Sequence, residues 1–152
     1  MNTKILKTLS SLFLFIFLSN ELLADQGISS DQILIGMHTD ISGPASMIGK
    51  QSVDGANMRF SEFNENGGAY GRKVKFIVED HQYTVPRAVQ AANKLLRKDK
   101  IAFMMGSLGT PMNNAVMTDQ LAMNVPNLFP LTAARSMFDP FDRLKFTSGS
   151  TY

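Results

Sequence analysis

Two histidines, His38 and His81, each stand close to an aspartate, and these are the side chains best suited to acid–base or metal chemistry. Asp40 follows the first histidine by two residues, and Asp80 directly precedes the second. Imidazole and carboxylate groups can transfer protons or bind a metal ion. A pair of histidines without a third spaced ligand more often serves a turn or a pocket wall. We therefore predict no metal site, and we expect Asp80 to cap a turn or a helix rather than to transfer a proton.

The glycine-containing turns lack the patterns of nucleotide-binding and hydrolytic sites. Residues 106–110 read GSLGT and contain no lysine for a phosphate-binding loop. Ser107 is not placed midway between two glycines, as the nucleophile of an α/β hydrolase would be. Gly43, Gly49 and Gly55 are too widely spaced for a dinucleotide-binding turn. None of these segments therefore predicts a known catalytic or nucleotide-binding motif.

Two other turns carry features that can hold a carboxylate. Gly109 and Thr110 precede a helix that opens at Pro111, and the first backbone N–H groups of a helix have no partner within it. Thr110 would add a hydroxyl at the cap position. Residues 131–135, LTAAR, have small side chains that leave backbone groups accessible, and Arg135 could pair with an anion or face water. The local sequence does not separate these readings from an ordinary capped helix and an ordinary turn.

The surrounding pattern predicts elements that bring these turns to one edge of a sheet. Short apolar runs predict strands at residues 33–37, 74–78, 101–105 and 127–129. Helices are predicted between them, and the buried face of the second helix is expected at Ala88, Ala91, Ala92, Leu95 and Leu96. Such alternation is typical of an α/β fold with a parallel sheet covered by helices on both faces.

Ligands of open parallel sheets bind beyond the carboxyl ends of the strands. We therefore expect any functional site to lie in the turns at residues 39–49, 80–84, 106–110 and 130–136.

The first 24 residues have the three-part pattern of a secretory signal peptide. Lys4 and Lys7 precede an apolar stretch at residues 12–18, and Ala24 ends the segment. The apolar stretch is far shorter than the roughly 20 residues that a membrane-spanning helix needs. We predict export to the periplasm with cleavage near Ala24. The chain contains no cysteine, so the leader is not expected to be that of a lipoprotein, and disulfides and thiolate metal sites are excluded. A net charge of +2 without a basic cluster argues against nucleic acid as a partner.

Four segments together resemble one known family. They are ISGPASMIGKQSVDGANM from Ile41, FNENGGAYGRKVKFIVED from Phe63, PRAVQAANKLL from Pro86 and MGSLGTPMNNAV from Met105. In order and spacing the chain resembles the periplasmic solute-binding proteins that include the branched-chain amino-acid receptors of ATP-binding-cassette importers. The resemblance covers nearly all of the chain after the leader and is specific through the combination of segments.

The resemblance implies a Rossmann-like first lobe of a periplasmic binding protein type I fold at residues 25–152, with the second lobe missing. It also implies a monomer that is not an enzyme, needs no cofactor or metal, and delivers a small solute to a membrane permease. The turns that match the family's ligand site imply a set of ligand-binding residues, namely Ile48, Gly109, Thr110, Ala133 and Ala134.

The chain departs from the branched-chain amino-acid receptors at two of these turns. Pro111 follows Thr110, and Ala134 stands where a threonine is typical. Loss of an acceptor for the ligand's ammonium would be costly, since an unpaired buried ammonium is strongly disfavoured. An aromatic or aliphatic carboxylate is therefore an alternative to an amino acid. Two other classes remain open, the ectodomain of a sensor and an exported α/β hydrolytic enzyme that uses His38, His81 and Asp80.

Overall fold

A computed structural model describes residues 26–149 of the 152-residue chain, so the predicted signal peptide at residues 1–24 lies outside the described residues. The described part contains one five-stranded sheet whose paired strands are all parallel, in the order β2-β1-β3-β4-β5. The strands are β1 (Gln32–Thr39), β2 (Lys73–Asp80), β3 (Phe103–Met105), β4 (Asn127–Leu128) and β5 (Lys145–Phe146). The connection after β1 leads to β2 on one side, and the connection after β3 leads to β4 on the other, which makes the gap between β1 and β3 the topological switch point.

Three helices connect the strands. They are α1 (Ser46–Glu65), α2 (Val85–Asn93), which continues as a π-helical turn at Lys94–Lys98, and α3 (Thr110–Ala122). A 3₁₀ turn at Arg135–Met137 precedes β5. No helix within residues 26–149 is both long enough and apolar enough to cross a membrane.

The helices cover both faces of the sheet, as predicted. Phe76 and Ile77 are consecutive residues of β2, so their side chains point to opposite faces. The ring of Phe60 from α1 lies 5.2 Å from that of Phe76, between centroids. Ile77 instead packs on the main core cluster, which joins α2, β3 and α3 and consists of Ala92, Leu95, Leu96, Ile101, Met104, Val116 and Val125. The predicted α/β fold with a doubly covered parallel sheet is therefore confirmed.

The predicted element bounds differ from the observed ones at several ends. The helix face predicted for α2 is correct, because all five of its expected apolar side chains are buried. The third strand begins at Phe103 rather than at residue 101, since Lys100 adopts a left-handed φ of 53° and turns the chain. The fourth strand ends before Phe129, whose φ of 51° is incompatible with an extended conformation.

Candidate functional site

The turns after β3 and β4 are joined side by side by backbone hydrogen bonds. The N–H of Leu131 donates to the carbonyl of Ser107 at 2.9 Å, and the N–H of Gly109 donates to the carbonyl of Leu131 at 3.4 Å. These bonds extend the parallel pairing beyond the strands through a bridge between Leu108 and Leu131. The structure thus brings together the two turns whose sequences have features that can hold a carboxylate.

Two threonine hydroxyls meet where these turns touch. The Oγ1 atoms of Thr110 and Thr132 lie 2.5 Å apart, and both side chains are half-buried. The backbone N–H of Ala134 donates to Oγ1 of Thr132 at 3.3 Å. Sequence reasoning did not single out Thr132, although it lies within the LTAAR segment, because nothing local indicated that its hydroxyl would face the start of α3.

The prediction that Thr110 occupies the cap position of α3 is wrong by one residue. Gly109 is the N-cap, with a φ of 94°, and Thr110 is the first helical residue. A Cβ at position 109 would lie 2.2 Å from the terminal methyl of the flexible Met112 side chain, so the positive φ, more than lack of space, favours glycine at this turn. The Thr110 hydroxyl therefore faces Thr132 instead of capping the helix.

Asn113 fixes the turn from inside the protein. Its side-chain amide is buried and donates to the carbonyls of Ser107 and Gly109, at 2.9 Å each. Because one amide bonds to two carbonyls of the same turn, the backbone at the start of α3 is held in one conformation. This residue too was missed from the sequence, where it reads as one polar residue among others in a helix.

Ala133 and Ala134 lie next to this junction but face different surroundings. Ala133 lines a cleft of about 260 Å³ formed by residues 130–133 and 147–149. Ala134 is 8% exposed and packs against Met117 and Met137, so its methyl group lies in the protein interior. Arg135 forms an ion pair with Asp139 at 2.6 Å on the surface. Of the two alternatives for Arg135, this favours a solvent-facing side chain over one that binds a ligand anion.

The turns after β1 and β2 are organised by two aspartates. The buried Asp40 carboxylate accepts hydrogen bonds from the backbone N–H groups of Ser42, Gly43 and Ala45. Asp80 joins the two turns, because its carboxylate accepts the N–H groups of Ile41 and Gln82, at 3.0 Å each, and the hydroxyl of Ser42. The predicted role of Asp80 in a turn is therefore confirmed, whereas the structural role of Asp40 was not foreseen.

The protonation of Asp80 follows from these contacts. Partial burial alone would raise its pKa, but the hydrogen bonds from the Ser42 hydroxyl and from the Ile41 and Gln82 N–H groups outweigh burial, and nearby His81 adds to them. The pKa of Asp80 is therefore below its ordinary value. Asp80 is ionised at neutral pH and serves as an acceptor for the turn rather than as a proton donor.

Ile48 lies in the first turn of α1 at the same edge of the sheet and is half exposed. Its position is set by Gly49, which packs directly on the end of β1. A Cβ at position 49 would lie 1.8 Å from the carbonyl oxygen of Asp40 and 3.0 Å from Oγ1 of Thr39. Only glycine allows α1 to begin this close to the strand end, so the sequence places Ile48 at the rim of the carboxyl edge.

His81 connects the turn after β2 to the turn after β3. Its Nε2 bonds to the carbonyl of Leu108 at 3.1 Å, and its Nδ1 accepts the N–H of Tyr83 at 3.0 Å. This pattern requires the neutral tautomer with its proton on Nε2. Burial lowers the pKa of His81 and outweighs the opposing effects of the Leu108 carbonyl, Asp40 and Asp80.

His38 is fully buried, and neither ring nitrogen has a hydrogen-bond partner. Burial, helped by repulsion from His81, lowers the pKa of His38 to about 3. The two rings lie 5.5 Å apart between centroids, yet neither imidazole hydrogen-bonds to a carboxylate in the described structure. Residues 26–149 also contain no group of three histidine, cysteine or acidic side chains that could hold a metal ion. The geometry therefore gives no support to an enzyme that uses His38, His81 and Asp80.

Two other clefts, of about 350 and 390 Å³, lie at the opposite edge, and both include Gln26 and Ile28. They are larger than the cleft at Ala133. Nevertheless, the loops there follow no carboxyl end of a strand, and ligands of open parallel sheets bind at that end. The carboxyl edge, where all four predicted turns meet, is thus the better candidate site.

The fold and its clustered turns define an α/β lobe with a candidate ligand site at the carboxyl edge of its sheet. A family model described as periplasmic binding protein matches residues 32–142. The Leu/Ile/Val-binding protein of Rhizobium johnstonii is 32% identical over 102 residues, which are 67% of this chain and 27% of that protein. The leucine-specific-binding protein of Salmonella typhimurium is 30% identical over 57% of this chain and 23% of its own length. The chain thus spans about a quarter of the length of these relatives.

Solved structures share the fold. A substrate-binding periplasmic protein from Ralstonia solanacearum matches with a TM-score of 0.74 and 24% identity, over 80% of this chain and 34% of that one. A fatty acid ABC transporter substrate-binding protein from Thermomonospora curvata matches with a TM-score of 0.74 and 22% identity, over 88% and 33% of the two chains.

The chain belongs to the periplasmic binding protein family. The resemblance read from the sequence is thereby confirmed, and the relatives are named as binding proteins, in agreement with the prediction that the chain is not an enzyme.

Proposed function

We propose that this chain is the first lobe of an exported receptor that captures a small carboxylate-bearing solute and delivers it to the permease of an ATP-binding-cassette importer. The lobe spans residues 25–152, after removal of a signal peptide that ends near Ala24. A second lobe, supplied by the rest of a longer protein, would close over the solute, since a half-open cleft leaves much of a ligand in water.

The observation that carries the proposal is the junction of the turns after β3 and β4. The start of α3, with its first N–H groups and positive dipole end, lies against the segment of Thr132 and Ala133. Asn113 holds the backbone of this turn rigid, and Thr110, the first helical residue, is half-buried at the junction. A carboxylate bound there would need no cationic side chain.

The ligand residues proposed are those implied by the family, namely Ile48, Gly109, Thr110, Ala133 and Ala134. Because the Ala134 methyl is buried, this residue would contribute through its backbone. Thr132 joins the proposed set, since its hydroxyl lies 2.5 Å from that of Thr110.

Thr132 bears on whether the solute carries an ammonium group. Ala134 cannot supply the hydroxyl acceptor expected of an amino-acid receptor, but Thr132 places a hydroxyl two residues earlier at the same junction. The relatives from Rhizobium johnstonii and Salmonella typhimurium are named for branched-chain amino acids, and the Thermomonospora curvata protein for fatty acids. Both an amino acid and an aliphatic carboxylate are therefore candidate solutes, and a matched pair of ligands separates them.

The test is a calorimetric titration of the full-length protein with leucine and with 4-methylpentanoate, which differ only by the ammonium group. Binding of either ligand supports a carboxylate receptor, and the tighter one identifies the class. The Thr132→Val variant should weaken binding about ten- to hundredfold, as expected for loss of one hydrogen bond to a charged group. Thr118→Val, the same change at an exposed position of α3, is the control and should bind normally. The proposal fails if a panel of amino acids and organic carboxylates leaves the folded protein unliganded.

A further inference from the structure

Tyr83 reaches across the end of β1 to the turn after β3. It lies in the turn after β2, and β2 and β3 flank β1 in the sheet. A Cβ at Gly109 would lie 3.2 Å from Cε2 of the Tyr83 ring and 3.6 Å from Cζ, so the ring rests on the glycine itself. The ring therefore covers the topological switch point, directly beside the start of α3.

The backbone of this turn is held in an uncommon conformation. Gln82 and Tyr83 have positive φ values of 50° and 56°. Two consecutive residues other than glycine in this region are strained, and they persist only when neighbouring contacts fix them. Here the N–H of Tyr83 donates to Nδ1 of the buried His81, and the N–H of Gln82 donates to Asp80. These hydrogen bonds hold the turn in its strained conformation, and in that conformation the Tyr83 ring lies against Gly109.

The Tyr83 ring is nevertheless not buried in the hydrophobic core. Tyr83 is 42% exposed, so one side of the ring contacts Gly109 while the rest remains open at the carboxyl edge. An aromatic ring that a strained backbone holds beside a helix N-terminus, with 42% of the residue exposed, is not fully explained by the apolar area that it buries. It is well explained as one wall of a binding site, where a rigid aromatic surface contacts an apolar group at little entropic cost.

We propose that Tyr83 is a specificity-determining residue of the solute site, and that its ring contacts an apolar group attached close to the solute's carboxylate. This inference rests on the proposed function and narrows its substrate class to carboxylates with a hydrophobic substituent. Small hydrophilic carboxylates would bind at the start of α3 without using the ring. The ring adds affinity only when the solute has an apolar group to place against it.

The test compares ligands that differ by one phenyl group, in the full-length protein. If the protein binds 4-methylpentanoate more tightly than leucine, the pair is propionate and 3-phenylpropionate. If it binds leucine more tightly, the pair is alanine and phenylalanine. The native protein should prefer the phenyl member. Tyr83→Ala should reduce this preference about three- to tenfold, the range expected for an aromatic contact, and leave the smaller ligand's affinity unchanged. Tyr83→Phe should retain the preference.

Tyr70→Ala is the matched control. Tyr70 also lies in a turn at positive φ, 52°, but it is 98% exposed and lies at the opposite edge, just before β2. The Tyr70→Ala variant should bind both ligands of the pair with the native affinities. A folded Tyr83→Ala variant with the native preference, or with both ligands weakened equally, would overturn the inference and leave the receptor proposal intact. If Tyr83→Ala does not fold, nuclear Overhauser contacts between the ligand's phenyl protons and the Tyr83 ring in the native protein decide. If these contacts are absent in a saturated complex, the role of Tyr83 is rejected. If the native protein binds no carboxylate at all, the proposed receptor function is rejected as well.

Discussion

The buried His38 predicts a loss of stability in mild acid. Its side chain is fully buried without hydrogen-bond partners, and its pKa in the folded protein is about 3. In the unfolded chain the group titrates near 6.5, the ordinary value for histidine. Below pH 6.5 the unfolded state therefore binds a proton that the native state does not. The stability contributed by neutral His38 is complete above pH 6.5 and decreases as the pH falls toward 3.

The size of the effect follows from the two pKa values. Each pH unit in this window costs about 1.4 kcal/mol, so lowering the pH from 7 to 5 should decrease the free energy of unfolding by about 2 kcal/mol through His38 alone. The pKa of His81 is also below its ordinary value, and this adds to the loss in the same direction. The hydrogen-bonded Asp80 has a lowered pKa too, but its contribution is lost only at lower pH, as the carboxylate becomes protonated.

Urea unfolding of the full-length protein at pH 7, 6 and 5 measures this loss. The His38→Leu variant removes a side chain of similar volume that makes no hydrogen bonds through its ring, so at pH 7 its stability should remain within about 1.5 kcal/mol of the native value. Between pH 7 and 5 it should lose about 2 kcal/mol less than the native protein. Parallel losses in the two proteins, or a His38 proton resonance that titrates near 6.5 in the native state, would refute the reasoning.

Two further predictions concern the positions that build the carboxyl edge. Gly49→Ala places a methyl group 1.8 Å from the Asp40 carbonyl oxygen and should destabilise the protein by about 3 kcal/mol or more. Gly55→Ala, in the same helix with nothing within 4 Å, should stabilise it by up to about 1 kcal/mol, and thermal unfolding compares the two variants. Asn113→Ala removes the two buried side-chain hydrogen bonds to the Ser107 and Gly109 carbonyls, which keep their backbone donors, and should cost about 1–3 kcal/mol. Asn114→Ala removes one exposed hydrogen bond and should cost less than about 0.5 kcal/mol, and equal losses would contradict the assigned role.

The sequence predicted the sheet, its coverage and the four turns because these depend on periodic apolar patterns. The buried face of α2 repeats every three or four residues, and the apolar runs of β1 and β2 are long enough to read directly. The parallel pairing of the strands also follows from the alternation of strands and helices, whereas their order in the sheet was not predicted. The site's general location is then a consequence of topology.

The details of the site could not be predicted in this way, because they depend on contacts between residues far apart in sequence. Thr132 meets Thr110 across 22 positions, and Asp80 binds the N–H of Ile41 across 39. The Tyr83 ring meets Gly109 only because β2 and β3 flank β1. The local sequence around each of these residues does not indicate its distant partner. Taken alone, each one resembles an ordinary turn residue.

The most direct test of the account is to locate the bound solute by amide chemical shifts. The full-length protein is labelled with ¹⁵N and saturated with leucine or 4-methylpentanoate, whichever binds more tightly. The N–H groups of Gly109, Thr110 and Thr132 should shift strongly, whereas those around Gln26 and Ile28 at the opposite edge should not. Large shifts confined to the Gln26 edge, or shifts absent from the turns after β3 and β4, would contradict the carboxylate site proposed for this lobe.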